Sequence, residues 1–286
     1  MLMASFVVLF HVAGAVILSW LYFRRYTMTR PPIGVFNLGD IAVMIGMVIL
    51  VPLLYLWLPL WTVAGLLALA STSILYFTWE PVLRPAWAIW LATLLLAGAD
   101  LLAALLPGTN PAWFFAVNNV VLVLSVVGVT NLWAQSGMKA RDAAILGAAL
   151  AIYDLIATSL LPLMNDLFAR LEGLPFAPEL AWPVNAAGEW LGIGLGDLVL
   201  AAVFPLVMRK AFGRSSGIAA MLIGLGAIGL LILSALFGFV KIFPVMVMLG
   251  PLMVLQYAYW RRRRQERTTW QYLQAEPIIR IGDGFL

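Results

Sequence analysis

The stretch Gly192-Ile193-Gly194-Leu195-Gly196-Asp197 sets a carboxylic acid inside an apolar run. A charged aspartate at bilayer depth costs at least ~2.5–3.5 kcal/mol on insertion scales, so such a residue reads as functional. Glycines recur every four residues here, at Gly188, Gly192 and Gly196. On a helix that spacing forms one bare stripe, which a neighbouring helix can approach closely. Gly194 lies three positions before Asp197, so the acid's own face is bare as well. The stretch therefore predicts a helix from about 188, with Asp197 roughly nine residues inside it.

The rest of the chain supplies the membrane. Of 286 residues, 64% are hydrophobic and 10% charged, and mean hydropathy is +1.01. A soluble domain needs far more surface charge. The class is an all-α, polytopic transmembrane helical bundle. A transmembrane barrel would alternate over ~10-residue segments, whereas these runs are continuous. No cysteine is present, which excludes disulfides, thiolate metal sites and a cysteine nucleophile. The lone His11 argues against a histidine metal site or a serine–histidine pair, so no metal and no cofactor are expected. The pI near 9.6 is not a sign of nucleic acid as a partner, because basic residues in a membrane protein first report topology.

Nine spans are predicted, at roughly 2–23, 38–58, 60–78, 86–106, 112–134, 142–164, 188–208, 215–239 and 243–260. The first lacks a basic stretch before its apolar run and is read as a true span, not a signal peptide. Pro59 separates spans two and three, and Pro107-Gly108 ends span four. A longer link over roughly 165–187 contains Pro175, Pro178 and Pro183. The organisation is five spans over 1–141, four over 142–260 and a basic tail over 261–286. That tail opens on Arg261-Arg262-Arg263-Arg264, a stop and inner-leaflet anchor, and continues through Trp270 and Tyr272.

Charge bias supports the count. With nine spans, one side holds Arg24, Arg25, Arg30, Arg84, Lys139, Arg141, Arg209, Lys210, Arg214, the Arg261–Arg264 run, Arg267 and Arg280. That is 15 of the 17 basic residues, and only Arg170 and Lys241 fall on the other side. The positive-inside rule makes the basic side cytoplasmic, with the N-terminus outside and the tail inside.

Asp100, Asp154 and Asp197 fall well inside spans, and Asp40 lies near a span start. At ~1.5 Å per residue, Asp154 and Asp197 both lie roughly 13–15 Å below the outer edge. Consecutive antiparallel spans at matching depth let the two carboxylates meet. Gly147, Ala151, Asp154 and Thr158 share one small, polar face, suited to the glycine stripe of span seven. Two carboxyl groups in hydrogen-bond reach share a proton near neutral pH. The ionised one then acts as general base on water and the protonated one polarises a carbonyl, with no metal or thiol. Which of them holds the proton stays open, because the titrations are coupled.

Tyr153-Asp154 in one span, Gly194-Leu195-Gly196-Asp197 in the next and a proline motif in the last resemble the presenilin and signal peptide peptidase family of intramembrane aspartyl proteases. The resemblance covers about residues 142–260. It implies that Asp154 and Asp197 are a catalytic dyad supported by Tyr153, Gly194 and Gly196. The family's Pro-Ala-Leu motif is best matched by Pro251-Leu252-Met253, which implies substrate binding there, although two of its three positions depart. Pro244-Val245-Met246 is a weaker match. A proline at Pro251 frees a carbonyl in the preceding turn, and an extended substrate could pair with it by strand addition. The charge bias gives the signal-peptide-peptidase orientation, so the resemblance implies transmembrane-helix or signal-peptide substrates within the lipid bilayer.

Other readings stay open. A proton-coupled transporter would use Asp100, Asp154 and Asp197 as a relay, but no matching inverted halves are visible. A prepilin-type peptidase also carries Gly-x-Gly-Asp, yet Leu198-Val199-Leu200 stands where a lysine is expected. A protease-like fold without activity is the third. Asp100 reads as a satisfied polar residue or part of an ion path. Asn118 and Asn119 read as interhelical hydrogen-bond formers. His11 reads as structural, Tyr153 as either a dyad partner or packing, and Gly224, Gly226 and Gly229 as packing.

Overall fold

The computed structural model describes residues 1–28, 36–106, 111–161, 163–185, 189–237, 244–267 and 271. Arg30, Pro107, Gly108, Gly188, Lys241, Trp270, Tyr272 and Arg280, all singled out in the sequence, lie outside the described residues. The chain runs α1 (Leu2–Arg25), α2 (Leu38–Trp57), α3 (Leu60–Trp79), α4 (Ala86–Leu105), α5 (Pro111–Gln135) and α6 (Ala140–Asp154). A π-helical turn, Leu155–Leu160, and α7 (Leu163–Leu171) follow. Then come β1 (Glu179–Pro183), β2 (Trp190–Gly194), α8 (Leu195–Phe212), α9 (Arg214–Leu236) and α10 (Val245–Arg263).

Among the described residues, six helices are long and apolar enough to cross a bilayer: α1, α2, α3, α4, α5 and α9. The protein is an integral membrane protein. Helices α6, α8 and α10 fall outside this set. Helix α6 has 15 residues, α8 has 18 and ends on Arg209 and Lys210, and α10 has 19 and ends on Arg261 to Arg263. These are the helices that carry the candidate site. Helix α8 needs no lipid-facing surface, because every residue from Leu198 to Phe212 is buried. It is the central rod, packed against α1, α5, α6, α9 and α10. The main apolar core therefore runs across the division at residue 141.

The all-helical expectation is corrected by a hairpin. Strands β1 and β2 pair antiparallel, with Glu179 opposite Gly194 and Ala181 opposite Gly192. Gly192 is needed here, since a methyl group on it would lie 2.9 Å from the Ala181 Cβ and 3.2 Å from the Leu180 carbonyl oxygen. A strand edge away from water must find other partners, and α5 supplies them. The Asn119 side-chain amide accepts from the Ala181 N–H (3.1 Å) and donates to the Ala181 carbonyl (2.9 Å). The Asn118 amide donates to the carbonyls of Ala177 and Glu179. These asparagines were expected to join two helices; they join a helix to a strand.

The approach to the hairpin is held from α4. Asp100 is fully buried and its Oδ2 accepts the Phe176 N–H at 2.6 Å, where Phe176 takes a positive φ of 60°. Asp40 lies at the start of α2 and forms a reciprocal cap with Asn37. His11 bonds the Val7 carbonyl within its own helix.

Candidate active site

Two helix starts and a change of helix type build the site. Helix α6 passes into the π-helical turn at Asp154, α8 starts at Leu195 and α10 starts at Val245. Asp197 is the third residue of α8, and Gly194 precedes that helix in extended backbone as its cap. This corrects the expected helix from about 188 with Asp197 deep inside it. Gly192 and Gly194 belong to a strand, so no glycine stripe faces α6. The positive end of the α8 dipole lies at Asp197 instead.

The small face of α6 packs against α10. A methyl group on Gly250 would run into the Gly147 carbonyl oxygen and lie 2.7 Å from the Ala151 Cβ. One on Gly147 would lie 2.9 Å from the Met253 sulfur. Gly147 and Ala151 do serve close packing, but their partner is Gly250.

This contact brings the start of α10 to Asp154. The Asp154 Oδ2 accepts the Met246 N–H at 3.1 Å, and its Oδ1 accepts the Thr158 hydroxyl at 2.9 Å. The N-terminus of α10 lays its positive end against Asp154, which stands where α6 passes into the π-helical turn. Thr158 reaches back from the π-helical turn to supply the second donor.

Asp154 and Asp197 lie close enough for the charge of one to act on the other. Both are half-buried. The Asp197 carboxylate folds back towards its cap, since a methyl group on Gly194 would lie 3.6 Å from its Oδ2. The same point is 3.6 Å from the Phe168 ring, which meets the Trp190 ring edge-on at 6.3 Å. This aromatic pair walls one side of the site. On the other side Gly196 is exposed, with nothing within 4 Å of where its side chain would be.

The structure separates the two proline segments. Pro244 is buried and caps α10, and Met246 binds Asp154. Pro251 is exposed about two turns along α10, with Leu252 half-buried and Met253 buried against Gly147. Pro244-Val245-Met246, the weaker match in sequence, is therefore the segment beside Asp154. The Tyr153 hydroxyl is buried without a hydrogen-bond partner among the described residues, so the ring packs. Among those residues no group of three or more His, Cys, Asp or Glu side chains converges.

Two participants carried no usable signal in sequence: the Met246 backbone and the Glu179 side chain. Glu179 is 1% exposed and neither carboxyl oxygen has a partner among the described residues. Burial, aided by the charge of Glu172, pushes its carboxyl up to about 8. No protein-family model matches the chain, and no curated protein matches it.

Proposed function

We propose that this protein is an intramembrane aspartyl endopeptidase that hydrolyses peptide bonds within transmembrane helices or signal-peptide remnants. The observation that carries the reading is that Asp154, from α6, and Asp197, from the start of α8, lie within reach of each other's charge. One carboxylate activates water as the other, protonated, polarises the scissile carbonyl. The hydrolysis needs no other reactant.

The reading includes nine spans in a presenilin-like arrangement, with α6, α8 and α10 completing the six longer helices. The three shorter helices need less lipid-facing length because they line the site. The N-terminus lies outside the cytoplasm and the basic tail inside, in agreement with the distribution of lysine and arginine. Segment Pro244-Val245-Met246 takes the place of the family's proline motif. An unwound substrate would add to the hairpin along β2, because Asn118 and Asn119 already occupy the outer edge of β1. The transporter reading is weakened at Asp100, one oxygen of which is committed to the Phe176 N–H.

The test is cleavage of a fluorogenic transmembrane-helix peptide by purified protein in detergent or liposomes. Wild type is expected to cut, and Asp154→Asn and Asp197→Asn to be inert while still folded. Activity surviving in either variant sinks the dyad. A folded but inert wild type sinks the endopeptidase, and proton-driven flux becomes the next assay.

A further inference from the structure

The two aspartates differ in their surroundings. Both oxygens of Asp154 accept a hydrogen bond, from the Met246 N–H and from the Thr158 hydroxyl. A backbone N–H only donates, so a proton on Oδ2 would confront it. A proton on Oδ1 would force the Thr158 hydroxyl to turn and accept. Asp154 also faces the positive end of α10. Asp197 shares only the last kind of help, from the start of α8, and its carboxylate has no donor among the described residues. Direct donors to a carboxylate outweigh a helix field acting without them.

We propose that Thr158 is a positioning residue that, with the Met246 amide, holds Asp154 as the ionised base and leaves the pair's proton on Asp197. This rests on the endopeptidase reading for its catalytic meaning. In the first step the Asp154 carboxylate takes a proton from water as the water oxygen bonds to the scissile carbon. Asp197 gives its proton to the carbonyl oxygen, and a neutral gem-diol forms. In the second step Asp154 returns its proton to the amide nitrogen as the C–N bond breaks. Asp197 recovers a proton from a gem-diol hydroxyl, so acid and amine leave and the starting protonation returns.

Among the described residues, the groups that face Asp154 from each neighbouring element are these. From α8 the group facing Asp154 is Asp197, and on α6 its neighbour is Tyr153. Helix α10 and the π-helical turn present the Met246 amide and the Thr158 hydroxyl, both uncharged. The remaining charges on these helices stand at their far ends: Arg141 and Asp142 on α6, Arg209 and Lys210 on α8, Arg261 to Arg263 on α10. On α2, Asp40 is in the first turn, whereas the other end of that helix, at Leu58, binds Arg170 of α7.

Two measurements test the assignment. Cleavage of the helical peptide is followed against pH for wild type, Thr158→Val and Thr158→Ser. Valine keeps the shape and removes the donor. Its acidic limb in kcat/KM should move to higher pH by about one unit, as for loss of a hydrogen bond to a charged group. Serine should restore the wild-type limb. A valine profile that superimposes on wild type overturns the role of Thr158. Infrared difference spectra at neutral pH read the proton without turnover. The protonated-carboxyl band of the pair should vanish in Asp197→Asn and persist in Asp154→Asn. The reverse pattern, or no change in either variant, overturns the assignment. An inert wild type would remove the endopeptidase reading, and the infrared comparison would still decide where the proton lies.

Discussion

Asp154 stands where α6 passes into the π-helical turn, and its Oδ2 accepts the backbone N–H of Met246, 92 residues later and 3.1 Å away. The bond joins the body of one helical run to the N-terminus of another through a side chain. It makes the position of α10 part of the site's electrostatics. Anything that moves α10 along α6 removes a donor from Asp154, even where neither aspartate is touched.

Gly250 should be the most sensitive position for that coupling. Even alanine places a methyl group against the Gly147 carbonyl and the Ala151 Cβ. Overpacking of this kind costs about 1–3 kcal/mol. Gly250→Ala is expected to lower the unfolding temperature in detergent and to cut cleavage of a helical peptide. Wild-type stability in this variant would show that the α6–α10 contact is looser than described.

The two prolines should separate cleanly. Pro244 is buried, fixes φ at −66° and starts α10 two residues before Met246. Alanine there frees the backbone and lets the helix start shift. Cleavage is expected to fall by roughly tenfold or more, about 1.4 kcal/mol of barrier. Pro251 is exposed, about two turns along α10. Pro251→Ala should hold activity within about twofold, since exposed substitutions rarely exceed ±0.5 kcal/mol. The reverse ranking would return substrate binding to Pro251-Leu252-Met253.

Long apolar runs were legible because lipid leaves helices little choice. The predicted spans 38–58, 60–78 and 86–106 end within a residue of α2, α3 and α4. The change to π-helix after Asp154 and the strand at Trp190–Gly194 were not legible. In a chain this apolar, hydrophobicity no longer separates helix from strand. Gly192 and Gly194 suit a close strand pair as well as a helix stripe. Asp154 and Asp197 could be singled out from residue type and depth. The Met246 contact was not, because a backbone donor leaves no mark in sequence. Asn118 and Asn119 signalled buried hydrogen bonds, but their partner was a strand the spacing did not reveal.

The hairpin should depend on Asn119. Its amide both accepts from and donates to Ala181, and both groups are buried. Asn119→Leu fills similar volume and strands one N–H and one carbonyl. Each unsatisfied group costs about 1–3 kcal/mol. Hydrogen exchange at the Ala181 amide is expected to accelerate, with the hairpin opening ahead of the helices. Unchanged protection there would mean that the strand holds its place without α5.

Glu179 should make stability depend on pH. It lies in the hairpin between α7 and α8, outside the spans, and burial is the main reason its carboxyl is pushed up to about 8 from an ordinary 4.5. Between those values the folded protein keeps a proton that the unfolded chain releases. Unfolding therefore sheds a proton and is favoured as pH rises. Stability is full at the acid end of this window and is lost towards about pH 8, with a slope of at most about 1.4 kcal/mol per pH unit. Glu179→Gln keeps the shape and removes this titration, so its unfolding temperature should decline less steeply than that of wild type towards pH 8. Glu172→Gln removes the second cause of the shift and should move the end of the decline to lower pH. Thermal scans of tryptophan fluorescence from about pH 5 to 9 give the comparison. Parallel slopes for wild type and Glu179→Gln would place the titration on another group. A decline steeper in wild type than in Glu179→Gln, and shortened in Glu172→Gln, would tie the hairpin, and with it the cap of α8 at Gly194, to the protonation of this buried acid.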